Sequence, residues 1–118
     1  MQAVWQAELT LGRQPRDVSA QRGLGYDLES RDPDSGRLHF IEVKGRHEDA
    51  DTVTLTRNEM LASRNAPEQF RLALVRVTAQ GTHPPRYVSH LPFREPGFAE
   101  VAATFRLSEL EAQAREPH

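Results

Sequence analysis

The sequence predicts a mixed α/β domain, and three observations lead there. Apolar residues recur at helical spacing near the start and again after Thr56, and Leu38–Lys44 and Phe70–Val77 have the composition of strands. About two dozen residues containing a helix separate those two runs, which suits a right-handed parallel crossover. The predicted order is helix, three antiparallel strands, helix and parallel strand, with an added edge strand and a C-terminal helix. At 118 residues the chain is a single domain, with its core at about 1–78 and an elaboration over 79–118.

Each element has a local reason. Val4, Trp5, Glu8, Leu9 and Leu11 fall at helical spacing, and Gly12 with Pro15 ends that helix. Trp5 is assigned to the core with Val4 and Leu9. A short first strand is expected at Val18, and a second at Tyr26–Ser30 after Gly23 and Gly25. Arg31–Gly36 is a turn by its chemistry: proline presets φ, aspartates bond their own backbone, and glycine tolerates positive φ. Leu38–Lys44 is the third strand and completes a hairpin. His47–Asp51 reads as a polar loop, and Thr56-Arg57-Asn58-Glu59 has the capping-box form that opens a helix closed by Pro67. Phe70–Val77 is apolar enough to be an inner strand covered on both faces. Thr82–Pro85 is a loop, Arg86–Leu91 an edge strand and Pro92–Gly97 another loop; Ser108–Glu111 opens a last helix with a second capping box.

Composition narrows the function. Hydrophobic residues at 37% and charged residues at 27% describe a folded domain rather than a disordered one. No apolar run reaches the roughly 20 residues of a membrane span, and Met1–Leu11 lacks the pattern of a signal peptide, so a cytoplasmic protein is expected. The absence of cysteine removes disulfides, thiolate metal sites and cysteine nucleophiles. The five histidines, His39, His47, His83, His90 and His118, have no metal spacing, which argues against zinc. Net charge is −2, so no polybasic surface advertises nucleic acid. Of the 15 basic residues, Lys44 alone is lysine.

That lysine belongs to the one constellation with chemistry in it. A hairpin turning between Asp34 and Ser35 places Asp27 opposite Glu42, with β-carbons about 5 Å apart. Alternation puts Lys44 on the same face and sends Ile41 and Val43 to the other. Two carboxylates and an amine then share one small area, flanked by Gly25 and Gly45. Paired carboxylates suit a hard cation, and the carbonyl of Val43 could complete the set for magnesium or manganese. A water polarised by the cation beside lysine could attack a phosphodiester. Lysine serves better there than arginine, whose guanidinium stays charged.

Gly25-Tyr26-Asp27, then Ile41-Glu42-Val43-Lys44-Gly45-Arg46, then Leu55-Thr56-x-Asn58-Glu59 resembles the PD-(D/E)xK nuclease superfamily. More narrowly, the chain is similar to the NO VEIN C-terminal type of domain, found appended to helicases and to restriction or phage-defence proteins. Glu8, Leu11-Gly12-Arg13 and Asp17-Val18-Ser19 share the likeness, which covers about residues 4–78. The resemblance implies a restriction-endonuclease-like fold, with Asp27 and Glu42 as metal ligands and Lys44 as the catalytic lysine. Glu8 matches a position where relatives place an acid for a second metal. Tyr26 stands where the namesake pattern has proline.

Arg46, His47, Thr56, Arg57 and Asn58 are the candidates for meeting DNA, the last three at a helix start where free N–H groups attract phosphate. Arg57, Arg64, Arg71 and Arg76 suggest a DNA-facing strip, while the acidic tail Glu95–Glu116 is expected to pack on the domain or meet a protein. The sequence thus predicts a magnesium- or manganese-dependent DNA endonuclease domain within a larger helicase, translocase or restriction system, with no membrane partner and with homodimerisation left open. The alternative is a nuclease-fold module that binds DNA or protein without cutting.

Overall fold

The computed structural model describes residues 1–91 and 95–118. Helix α1 (Gln2–Thr10) precedes β1 (Gln14–Asp17), β2 (Leu28–Arg31) and a long β3 (Leu38–His47). Then come β4 (Thr52–Thr56), α2 (Arg57–Asn65), β5 (Phe70–Thr78), β6 (Gly81–Thr82) and β7 (Arg86–Val88), and finally β8 (Ala102–Arg106) and α3 (Leu107–Gln113).

The main sheet runs β1-β2-β3-β5-β6, with β7 also paired to β5. The pairs β1–β2 and β2–β3 are antiparallel, and β3–β5 is parallel across α2. This is the predicted helix, three strands, helix and strand order in a mixed α/β fold. Leu28 faces Ile41 and Glu29 faces Phe40, the register of a hairpin centred between Asp34 and Ser35. Strand β7 is the expected edge strand, antiparallel to β5 but only three residues long.

Strand β5 is covered on both faces. Toward α1, Ala73 and Val75 join Val4, Leu28, Ile41 and Tyr87, with Trp5 half-buried beside them. Toward α2 and α3, Phe70, Leu72 and Leu74 join Val53, Leu55, Met60, Val88, Leu107, Leu110 and Ala114. Residues 79–118 therefore contribute to the larger core instead of merely decorating it.

Several expectations need correction. Leu9 is exposed instead of joining Val4 in the core, and the first strand is Gln14–Asp17, which includes Pro15 and ends before Val18. The stretch before α2 is not only a loop: Thr52–Thr56 alternates buried Val53 and Leu55 with exposed threonines and pairs antiparallel with β8 as a separate two-stranded ribbon. Ser108 does not cap α3. Because β8 runs straight to Arg106, the helix begins at Leu107 with Arg106 as N-cap, and Ser108 falls inside the first turn. The arginines of 57–76 do not form one strip, since Arg71 shares the α1 face of β5 with Ala73 while Arg76 shares the other with Leu74. Of the loop expected over Pro92–Gly97, residues 92–94 lie outside the described residues. No helix among the described residues is long and apolar enough to cross a membrane.

Candidate functional site

Strand β3 carries the site where it leaves the core. Its outer end is exposed from Gly45 onward, whereas Glu42 is buried and Lys44 half-buried. In parallel register Glu42 lies beside Leu72 and Lys44 beside Leu74, so both project toward the α2 face. Ile41 packs on the opposite side. The alternation read from the sequence is the one observed.

Asp27 stands one residue before β2 and straddles Glu42. Its N–H donates to the Ile41 carbonyl at 2.9 Å, and its Oδ2 accepts from the Val43 N–H at 2.9 Å. Tyr26 packs its ring on Phe40 with centroids 4.7 Å apart. Gly25 has φ +83°, in the left-handed region, and a Cβ there would lie 2.2 Å from the Asn58 carbonyl oxygen. Its missing side chain is thus filled by the backbone of α2. Nothing lies within 4 Å of a Cβ on Gly45, which leaves that flank open.

Helix α2 adds a residue that sequence reasoning placed only in a cap. The Thr56 hydroxyl accepts from the Glu59 N–H at 3.2 Å, and Glu59 Oε1 accepts from the Thr56 N–H at 2.8 Å, which forms the expected capping box. The same Oε1 lies 2.9 Å from Lys44 Nζ, closer than Glu42 Oε2 at 3.5 Å. The cap was legible in Thr56-x-x-Glu59, but its second contact depends on how α2 lies against β3.

Charge is unevenly shared among these groups. Burial raises the pKa of Glu42, and hydrogen bonding and charge from Glu59 and the charge of Asp27 push it further, against Lys44. Burial opposes ionisation of Glu59 as well, yet Lys44, the Thr56 N–H and Glu42 win and hold its carboxyl below the usual value. Burial disfavours the Lys44 ammonium, but Glu59 and Glu42 outweigh it and raise its pKa. Glu59 and Lys44 are therefore the charged pair, while Glu42 is an acid short of positive charge.

An all-oxygen set fits a hard cation here. The carboxylates of Asp27 and Glu42 and the Val43 carbonyl are the donors that magnesium or manganese takes, with waters completing the shell. The crowding that raises Glu42 is what a cation would relieve. Among the described residues no three His, Cys, Asp or Glu side chains gather into a metal-holding group, so a cation here would rely on two carboxylates and a main-chain oxygen.

The structure does not bring Glu8 to this site. Glu8 is fully buried in α1, both of its oxygens engaged by Arg13 at 2.6 and 2.9 Å, and Oε2 also accepts from the Tyr87 hydroxyl at 2.7 Å. Burial alone would raise its pKa, but Arg13 and Tyr87 together lower it. Arg13 and Arg71 also donate to the main-chain oxygen of His118, at 3.1 and 3.0 Å. Sequence spacing gave no sign of this network, because its members come from four distant segments.

Of the candidates for DNA, Thr56 and Asn58 stand on the turn that carries Glu59. Arg57 turns away and donates to the Gly97 carbonyl at 2.7 Å. Arg46 donates to the Thr52 carbonyl at 2.9 Å, and exposed His47 sits against the backbone N–H of Asp49. None of these residues lines the groove of about 780 Å3 formed by Ala7, Leu11, His83 and Pro85 among others.

Comparison with known families bears on this arrangement. Residues 1–88 match the family model described as Protein NO VEIN, C-terminal. No curated protein matches the chain.

Proposed function

The chain belongs to the NO VEIN C-terminal family over residues 1–88, and from that premise we propose that it is a PD-(D/E)xK-type, restriction-endonuclease-like domain that hydrolyses DNA phosphodiester bonds. The observation that carries the reading is the gathering of Asp27, Glu42 and Lys44: Lys44 Nζ lies 3.5 Å from Glu42 Oε2, and Asp27 Oδ2 accepts from the N–H of Val43, the residue between them.

Asp27, Glu42 and the Val43 carbonyl would hold magnesium or manganese, which supplies Lewis-acid stabilisation of charge developing on the phosphate. Lys44 orients the attacking water and offers a positive charge beside the phosphorane. Thr56 and Asn58, at the start of α2, would meet a DNA phosphate, drawn there by the helix dipole. Arg46 and His47 flank the open side. The family's description names the C-terminal part of a larger protein, and we read this chain likewise as one module of a helicase, translocase or restriction-defence system, alone or as a homodimer.

A second reading is favoured by how the arginines are used. Arg57, Arg71 and Arg76 are all bonded to main-chain oxygens of the domain itself, and net charge is −2. With these arginines committed to its own backbone, the domain in this reading relies on a partner for DNA affinity and has kept the fold to bind DNA or protein without cutting.

Plasmid DNA incubated with the protein in magnesium or manganese separates the two. The expected result is cleavage by wild type and a loss of at least about a hundredfold in Glu42→Ala and Lys44→Ala, the scale of removing one electrostatic catalytic group. Equal cleavage by all three would sink the catalytic reading; binding without cleavage by any would establish the second.

A further inference from the structure

We propose that Glu59 is the positioning residue for Lys44, keeping its amine in the site when Glu42 is committed to a cation; the second clause rests on reading Asp27 and Glu42 as cation ligands. Lys44 Nζ has two acidic neighbours, and they are not equivalent. Glu59 Oε1 at 2.9 Å is within the range of a charge-assisted hydrogen bond, whereas Glu42 Oε2 at 3.5 Å is beyond it. A cation on Glu42 would repel an ammonium that had no other holder. Lysine has a flexible four-carbon stem, and nothing in the strand itself would keep it from swinging to solvent.

Glu59 is built for the holding role. Its side chain is 12% exposed, and the oxygen that meets Lys44 is fixed by the Thr56 N–H at 2.8 Å. The turn that presents it is itself fixed, because the Asn58 carbonyl fills the space where Gly25 lacks a Cβ. One turn of α2 therefore sets both the loop leading to Asp27 and the direction of the Lys44 amine. That gives Glu59 a function separate from capping, though it performs both with one carboxylate.

Lys44 is the chain's only lysine, so lysine labelled with 15N at the side-chain nitrogen gives a single ammonium signal. In the wild-type protein a slowly exchanging ammonium correlation is expected, and it persists when magnesium chloride is added. Glu59→Gln keeps an oxygen for the Thr56 N–H but removes the charge, and is expected to speed ammonium exchange about tenfold or erase the signal. Glu42→Gln is expected to leave it. Thr56→Ala weakens the cap and keeps the carboxylate, and is expected to leave it too.

Loss of the signal in Glu42→Gln but not Glu59→Gln would overturn the proposal. So would equal loss in Thr56→Ala and Glu59→Gln, since capping alone would then explain it. Plasmid cleavage is read separately. Absence of cleavage by every protein would remove the nuclease reading and leave the hold of Glu59 on Lys44 standing.

Discussion

His39 and Lys44 stand on the same strand and meet burial in opposite ways. Lys44 is compensated above all by the Glu59 carboxylate and stays charged. His39 is 8% exposed, its Nδ1 has no hydrogen-bond partner among the described residues, and burial together with Arg13 and Arg71 lowers its pKa to about 4. The unfolded chain takes up this proton near pH 6.5, the folded chain only near 4. The neutral ring therefore favours the fold fully above about pH 6.5, and that contribution is lost as pH falls from there toward 4. Urea midpoints at pH 7 and pH 5 should drop more in the wild type than in His39→Leu; parallel drops would show that His39 is not the titrating group. At this scale the sequence was informative wherever a local rule fixed geometry. The turn at Asp34 and Ser35 set Asp27 against Glu42, and alternation set Lys44 beside it. Glu8 was legible as an acid but not as the partner of Arg13 and Tyr87, since Tyr87 arrives from β7.

Among elements, α2 is the one on which the site depends. Its first turn presses on Gly25, so Gly25→Ala meets both positive φ and backbone 2.2 Å away. A loss on the order of 3 kcal/mol is expected from strain and overpacking together. Gly45→Ala, which has open space, should stay within about 0.5 kcal/mol in the same thermal melts. Similar losses in both would mean that the loop does not rest on α2. The β4–β8 ribbon is the element that sequence reading missed. Its signal existed, for Thr52-Val53-Thr54-Leu55-Thr56 alternates strictly. The partner strand, Ala102–Arg106, lies far along the chain and carries only Ala103 and Phe105 on the inner side. An isolated five-residue alternation next to a strong capping box is easily absorbed into the loop before the helix.

For the whole molecule, the family likeness and the core have different extents. The match ends at residue 88, yet Leu107, Leu110 and Ala114 complete the larger core, and Arg115 pairs with Tyr87 through 2.8 and 2.9 Å backbone bonds. A chain ending at residue 88 would leave Val53, Leu55 and Val88 facing water. Burying side chains of this size contributes about 1.5–3 kcal/mol each, so the shortened chain is expected to bind a hydrophobic dye and lack a cooperative melt. A sharp transition near that of the full chain would contradict this. The order from helix to parallel strand was legible because each piece has its own periodicity. The contribution of residues 79–118 was not, because it consists of contacts rather than patterns.

The alternation along β3 has one more consequence. Ile41 and Glu42 are adjacent, and one belongs to the core beneath α1 while the other belongs to the site beneath α2. A slip of a single residue would send Glu42 and Lys44 among Val4, Leu28 and Tyr87 and turn Ile41 toward Glu59, a cost no marginally stable domain could bear. The strand thereby acts as its own proofreader: correct assembly of the core and correct assembly of the chemistry are one event, and a molecule that has folded has no misaligned version of the site to sort from the right one.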